Sequence, residues 1–319
     1  MDITGYKLLR KGIDCNETQC NGIDATGFIL GPTLFNILIS DLDEGVKNTL
    51  FKFLDDTKMW GEVSMLVERD RLQLDLDRLQ RWVDENRMGF NSDKCKVLHL
   101  GRKNQQQTYR LGNSPLISTE AEKDLGAIID AKMNMGRQCE DPVSKAYRTL
   151  SCIYRYNMSR SKEVFLPLYA SLVRPQLEYC VQFWVPHFRR DVDSIERVQR
   201  RATCMIRGQQ GRPYKGRLRD LNLLSLHKRR LKGDLVAIYK LTKEDQQGTG
   251  ETLFPRALPG VTRNNGHKLT ESRFRLDIRR RYFTVRAARI WNQLPREVVL
   301  TSTLGVFKRR LDNHLAGVV

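Results

Sequence analysis

The sequence predicts an α+β protein, and three patterns carry that expectation. Residues Asn48–Glu62 alternate around a polar break at Asp55-Asp56-Thr57, with Leu50 and Leu54 on one side and Phe51 and Phe53 on the other. A period of two is the strand signature, so this stretch reads as two strands joined by a tight acidic turn. Leu72, Leu76, Leu79 and Val83 then recur at spacings of four, three and four, which predicts an amphipathic helix over Met65–Arg87. From Asp141 onward helical spacing takes over.

Taken in order, residues 1–25 show no period and read as an irregular leader. Thr26–Ile39 is the longest apolar run, broken by Gly31, Pro32 and Asn36. It is too short for a bilayer, which needs roughly 20 apolar residues. Val97–Leu100 and Leu125–Ile129 read as short returning strands. Tyr147–Arg155, Lys162–Val173 and Asp193–Arg207 read as helices, the last ended by Gly208, and Leu221–Thr242 is a further basic helical stretch. Tyr179 and Trp184 read as core aromatics of this helical part. Thr242–Lys268 holds four glycines, two prolines and two adjacent asparagines, and is the best linker candidate. Ser272–Ile278 alternates, with Arg273, Arg275 and Asp277 outward and Phe274, Leu276 and Ile278 inward, as a half-buried strand would. Thr284–Gln293 and Leu304–Leu315 close the chain as helices.

Charge is unevenly spread. The chain holds 55 Lys and Arg against 37 Asp and Glu, a formal charge of +18. Residues 1–100 carry 13 basic and 17 acidic groups, 101–200 carry 16 and 11, and 201–319 carry 26 and 9. Nearly all the excess therefore lies beyond residue 200, and a field of one sign that strong favours a polyanion. Basic clusters at His227-Lys228-Arg229-Arg230, Arg279-Arg280-Arg281 and Lys308-Arg309-Arg310 recur among Phe274, Tyr282, Phe283 and Trp291. Arginines interleaved with aromatics suit phosphate contact and base stacking.

With 40% hydrophobic residues the chain is not wholly disordered. The first residues lack the apolar core of a signal peptide, and the 7 cysteines are scattered without a CxxC pair. This suits a reduced compartment, nuclear or cytoplasmic rather than secreted. His187, Cys180 and Cys204 fit no zinc spacing. No glycine-rich phosphate loop, GxSxG or HExxH occurs, which excludes the kinase, dinucleotide, serine-hydrolase and zinc-protease classes.

Phe53-Leu54-Asp55-Asp56 is the sharpest chemical feature. Two consecutive carboxylates repel unless something positive lies between them and another acid. A pair of Mg²⁺ ions would do this, clamping the attacking and leaving oxygens of a phosphoryl transfer. An aspartate-rich hairpin turn is the plainer alternative.

The segments LGPTLFNILISDLDEGV (30–46), FLDDTK (53–58), FNSDKCKVLHLGR (90–102) and KDLGAIID (123–130) follow one another as in a known family. Further on come LVRPQLEYCVQFW (172–184), IERVQRRATCMI (195–206), NGHKL (265–269) and RYFTVRAARIWNQLPREVV (281–299). In this order they resemble the reverse transcriptases of LINE-type (non-LTR) retrotransposons, jockey-like clade, from Thr26 to Val319. The resemblance implies that Asp55 binds the catalytic metal, that Asp56 supports it, and that Lys94 protonates the departing pyrophosphate. It implies that Gly27, Gly31, Pro32 and Phe53 position template and nucleotide, and that KDLG (123–126) lies on the primer side. The implied cofactor is Mg²⁺ and the implied partners are an RNA template and a DNA primer. Nucleic-acid binding by Lys228, Arg229, Arg230, Arg279, Arg280 and Arg281 rests instead on charge.

This chain departs from the family in three ways. Before LGP the family's P-Q-G-S keeps only Gly27, Leu54 stands where a small residue is usual, and the palm's first catalytic aspartate lies upstream of the matched region. The expected organisation is an unmatched leader (1–25), a partial, truncated polymerase palm (26–135), a helical thumb-like region (136–210) and a basic nucleic-acid-binding region (211–319). Polymerase activity from such a chain alone is expected to be weak or absent, with non-enzymatic RNA or DNA binding as the alternative role.

Overall fold

The acidic segment closes as a two-stranded hairpin, β3 (Thr49–Phe53) and β4 (Asp56–Glu62), around which the first part of the computed structural model is organised. The structure describes residues 5–9, 13–15, 27–53, 56–101, 104–157, 159–244, 248–257 and 267–317. Contacts divide the chain into two compact units, Met1–Asn134 and Met135–Val319.

In the first unit the strands β1 (Gly5–Leu9), β6 (Lys96–Leu100) and β9 (Ile117–Thr119) join the hairpin, while β2 (Ile13–Cys15) and β5 (Met88–Phe90) stand apart from it. A five-stranded sheet runs β3-β4-β1-β6-β9, with β1 antiparallel to both neighbours and β9 parallel to β6. The leader expected to be irregular therefore supplies a central strand. Its pairing partners lie some fifty and ninety residues away in sequence, and such long-range pairing leaves no local period. Two-residue strands β7 (Arg110–Leu111) and β8 (Ser114–Pro115) form a separate ladder, as do β2 and β5.

The apolar run before the hairpin is α1 (Gly27–Leu38), and Leu66–Glu85 forms α2 as the spacing predicts. Leu72, Leu76, Leu79 and Val83 of α2 pack on Met59 and Val97 of the sheet, with Ile39, Leu42 and Tyr109 closing the core. Asp75, fully buried among them, accepts from the amides of Lys47 (3.1 Å) and Asn48 (2.8 Å), from Asn48 Nδ2 (2.8 Å) and from Arg78. This carboxylate fixes the entry of β3, and four donors offset the cost of burying its charge.

The other face of the sheet carries a second hairpin, β10 (Ala121–Asp124) and β11 (Ala127–Asp130). Its two-residue connection puts Leu125 at φ 44° and Gly126 at φ 84°. Positive φ at both positions is the type I′ requirement, met freely by the glycine alone. Lys58 and Lys96 sit in one row of the sheet, each opposite Leu9. Lys58 pairs with Asp124 and Lys96 with Glu122 (3.0 Å), so two ion pairs lay β10 across that row. Ile129 adds a small core with Leu98 and Leu100.

The second unit is helical: α3 (Gly136–Tyr156), α4 (Lys162–Leu168), α5 (Arg174–Glu178), α6 (Arg189–Met205), α7 (Tyr214–Asp220), α8 (Leu226–Lys243), α9 (Thr249–Leu253), α10 (Phe283–Trp291), α11 (Arg296–Val299) and α12 (Leu304–Gly317). The stretch Lys162–Val173 is α4 followed by a π turn over Tyr169–Val173, not one uniform helix. Residues 136–210 and 211–319, separated at the sequence level, lie in this one unit, which encloses two apolar clusters that meet along α8.

Three further expectations are corrected. Thr242–Lys268 is not simply a linker: α9 lies within it, Phe254 is buried, and Arg256 bridges Leu269. Phe254 packs in the cluster with Leu235, Ile238 and Tyr239 of α8, and the bridge ties Arg256 to the extended chain at Leu269. Ser272–Ile278 alternates in burial as expected, yet it pairs with no strand among the described residues and passes into a 3₁₀ turn at Asp277–Arg281. Period two there reports one half-buried side of an extended chain. Trp184 is fully buried, whereas Tyr179 is 53% exposed because the chain turns outward where α5 ends.

Candidate active site and nucleic-acid interface

The β3–β4 register pairs Phe53 with Asp56, Phe51 with Lys58 and Thr49 with Trp60. Paired residues share a face. That face leaves Phe51, Phe53 and Trp60 exposed by 59, 54 and 37%, beside a half-buried Asp56. The opposite face, with Leu50, Thr57 and Met59, turns to the core. Leu54 and Asp55 lie outside the described residues, so the expected metal ligand has no described geometry.

Lys52 anchors the hairpin from the core side. Its ammonium donates to the carbonyls of Ile39 (3.1 Å) and Ser40 (2.7 Å) and pairs with Asp43 (2.6 Å). A lysine on the last carbonyls after a helix satisfies acceptors that the helix leaves open. The same contact holds the Asp43 carboxyl below its usual range.

Lys94 is exposed at the end of a 3₁₀ turn, Ser92–Lys94, whose start is capped by the Asn91 side chain accepting from the Lys94 amide (3.3 Å). β4 begins at Asp56, and β6 begins two residues after Lys94. Both strands are antiparallel to β1 and so run the same way, and the Lys58–Leu9–Lys96 row fixes their relative height. Asp56 and Lys94 therefore lie at the same end of the sheet with β1 between their strands, about 10 Å apart in the hydrogen-bonding direction. Gly27, Gly31 and Pro32 fall in the first half of α1, away from the end that Lys52 holds. The KDLG segment is the β10–β11 turn, tied to β4 through Lys58 two positions from Asp56.

In the helical unit a buried polar chain positions α8. Tyr169 Oη donates to Gln199 (2.8 Å), Gln199 Nε2 donates to Tyr214 Oη (3.0 Å), and Tyr214 Oη donates to Glu196. Glu196 accepts from the amides of Leu226 (3.3 Å) and His227 (3.4 Å) at the first turn of α8, where a carboxylate complements the helix dipole. Burial, the largest effect, and the Glu196 charge push the Tyr214 phenol up.

This placement directs the first basic cluster inward. Lys228 donates to the Leu315 carbonyl (2.7 Å), and Arg229 grips Glu178 through Nε and Nη2. Arg230, 8% exposed, donates to the carbonyls of Leu177 (2.8 Å) and Trp184 (2.7 Å). The expectation that these three meet nucleic acid is corrected for Arg230, whose donors are spent inside the fold. Lys228 and Arg229 also hold α8 to its neighbours. Of the second cluster, Arg279 and Arg280 are exposed, while Arg281 donates to the carbonyls of Pro186 (3.3 Å) and His187.

Sequence reasoning missed the exposed arginines of α6: Arg189, Arg190, Arg197, Arg200 and Arg201. Arg200 and Arg201 lie over the rings of Tyr214 (5.1 Å) and Tyr147 (5.6 Å). Their signal was available as arginines recurring at helical spacing opposite Ile195, Val198 and Ala202.

The folded chain is thus of the α+β class, with an acidic hairpin in one unit and an arginine-rich helical unit after it. No family model matches the chain. It is similar to the RNA-directed DNA polymerase from mobile element jockey of Drosophila melanogaster, 25% identical over 235 residues that cover 69% of this chain and 24% of that protein. The protein of the same name from Drosophila funebris is 25% identical over 209 residues, 61% of this chain and 22% of that one. The similarity to these two proteins agrees with the LINE-type resemblance read from the sequence. It spans about a quarter of the length of the curated relatives it matches.

No helix among the described residues is long and apolar enough to cross a membrane.

Proposed function

We propose that this chain is part of an RNA-directed DNA polymerase of a LINE-type element. In this reading the β3–β4 hairpin presents Asp55 as metal ligand and Asp56 as its support. Lys94 donates the proton to departing pyrophosphate, and Phe53 with Gly27, Gly31 and Pro32 positions template and nucleotide. The observation that carries it is the register placing Asp56 beside exposed Phe51 and Phe53, at the sheet end that also holds Lys94.

Two adjacent carboxylates are a donor set that suits Mg²⁺, which is held by one or two carboxylates plus substrate phosphates rather than by a full protein cage. Bound there, Mg²⁺ would stabilise the charge developing on the transferring phosphoryl group. The partners in this reading are an RNA template and a DNA primer, met by the exposed arginines of the helical unit.

Tested alone, the chain extends a primer weakly or not at all, since it holds about a quarter of a relative's length. Extension of a primed RNA template with Mg²⁺ or Mn²⁺, compared with Asp55→Asn, is the test. Extension lost in that variant makes the chain a working polymerase; binding without extension supports a part that needs completion. Absence of binding to the primed template overturns the proposal.

A second reading, a non-enzymatic RNA- or DNA-binding protein, is favoured by the 26 basic against 9 acidic residues beyond position 200. It is distinguished by binding that neither Mg²⁺ nor Asp55→Asn alters, whereas a polymerase part shows Mg²⁺-dependent binding that this variant weakens.

A further inference from the structure

Arg281 and Arg286 bring two segments, nearly a hundred residues apart in sequence, into one surface. Arg281 donates to the carbonyls of Pro186 and His187. Arg286 donates to those of Val181 (2.8 Å) and Gln182 (3.1 Å) while its fork holds Asp234 (2.9 and 3.0 Å). Between the segments opens a cleft of about 270 Å³, lined by Val185, Pro186, Asp277, Arg280, Arg281 and Arg286. Phe183 and Phe188 flank it in sequence, 44 and 47% exposed, and Arg190 lies over the Phe188 ring at 5.2 Å. Arg189, Arg279 and Arg280 are exposed nearby in the chain.

Single exposed apolar residues need no explanation. Two exposed phenyl rings, each two residues in sequence from a residue lining an arginine-bearing cleft, are a different case, because an exposed ring can stack on a flat partner and the arginines favour an anion. The acids offset part of this charge, Asp234 being held by Arg286, and leave Arg279, Arg280 and Arg281 against Asp277. Asp277 lines the cleft, while Asp191 and Asp193 face Arg190 (3.5 Å) and Arg189 (4.0 Å). The cleft falls just under the ~300 Å³ at which small-molecule pockets begin. That size suits one base or one sugar-phosphate unit of a longer strand.

We infer that this surface binds single-stranded nucleic acid, with a base stacked on Phe188 and phosphates held by Arg279 and Arg280. A duplex keeps its bases stacked on one another, so an aromatic platform is useful only to a single strand. The inference rests on the nucleic-acid role proposed above and adds to it the form of the ligand and its place.

The test is fluorescence anisotropy of the full chain with a labelled oligothymidylate at two salt concentrations, alongside a duplex of equal length. Phe188→Ala weakens single-strand binding by roughly 5- to 100-fold with an unchanged salt slope, and Phe188→Trp retains it. Arg280→Ala lowers the log–log salt slope by about 0.7, one phosphate's worth on a single strand. Circular dichroism shows whether each variant folds as the parent does. If the parent binds the oligonucleotide and both alanine variants bind it equally well, the site is wrong while the broader role stands. If the parent binds neither strand form at low salt, the broader role fails and takes this site with it.

Discussion

Arg230 lies over Trp184, its guanidinium carbon 3.8 Å from the ring centroid. Its fork donates to two backbone carbonyls, one of them from Trp184 itself, and burial pulls the guanidinium down to about 10. An arginine in a basic run has here become an internal strut that closes the turn after α5 onto α8.

Truncating that strut is costly. Arg230→Ala removes a desolvated cation–π contact and orphans two buried carbonyls, so unfolding free energy drops by about 3 kcal/mol or more. Arg230→Lys does not restore it, because an ammonium lacks the planar fork. Arg280→Ala, on an exposed side chain, changes stability by less than about 0.5 kcal/mol. Urea melts of the three variants check this, and an Arg280→Ala as damaging as Arg230→Ala reverses the assignment.

The Lys58–Asp124 pair clamps the β10–β11 hairpin beside the acidic turn, with side chains 10 and 12% exposed. Lys58→Ala strands the aspartate, and such a loss costs about 3–5 kcal/mol. Lys58→Met with Asp124→Leu recovers most of it, since an apolar pair of similar size has no charge to desolvate. The parallel pair Lys96–Glu122 is more open, 36 and 17% exposed, and is worth under ~1 kcal/mol. Double-mutant cycles on both pairs decide the point; equal coupling energies refute it.

The hairpin, α2 and the longer helices of the second unit (α3, α6, α8, α10 and α12) were legible because each follows a local period, as in α2, where Leu72, Leu76, Leu79 and Val83 are all buried, whereas the short helices α5, α7, α9 and α11 were not. β1 was not legible, because its two ladders are made with residues far along the chain and pairing of that range writes no period into five residues. The site was half legible. Adjacent aspartates announce themselves, but the alignment of Lys94 with Asp56 depends on the register that β1 imposes. Charge counting overstated the basic clusters, since composition does not distinguish an arginine facing solvent from Arg230 facing a carbonyl. It equally passed over α6, whose arginines are set apart by intervening apolar residues.

Gly250 marks the point where the supposed linker is packed. A Cβ built there would stand 1.7 Å from the Leu241 carbonyl oxygen and 2.5 Å from its carbon, both backbone atoms of α8. Backbone cannot turn aside as a side chain can, so Gly250→Ala pushes α9 off α8 and costs about 1–3 kcal/mol or more. Gly248, at φ 74° with open space around it, is sensitive through its backbone conformation instead, and Gly248→Asn is tolerated better than Gly248→Val. Thermal melts rank the three. A Gly250→Ala as stable as the parent means that the segment is a loose connection after all.

Stability should fall as pH is lowered from 7.5 to 5.5, with one histidine in each unit responsible. His99 is 6% exposed, its Nε2 is 2.9 Å from Ser118 Oγ, and burial holds its pKa below the usual value. His267 is shifted the same way, first by burial and then by the positive charges of Lys243 and Arg256. For a group whose folded pKa is depressed, the fold prefers the neutral ring. That contribution is complete above the unfolded pKa of about 6.5 and is lost as pH falls from there through the folded value. Each ring can contribute up to about 1.4 kcal/mol per pH unit over that window. Asp234 acts with the opposite sign, since burial raises its carboxyl above the ordinary range. Single variants therefore separate the terms: His99→Gln flattens the pH dependence of the first unit and His267→Gln that of the second. Urea melts at pH 7.5, 6.5 and 5.5 provide the measurement, and a parent chain whose stability holds or rises on acidification contradicts the preference of the fold for neutral rings at buried His99 and half-buried His267.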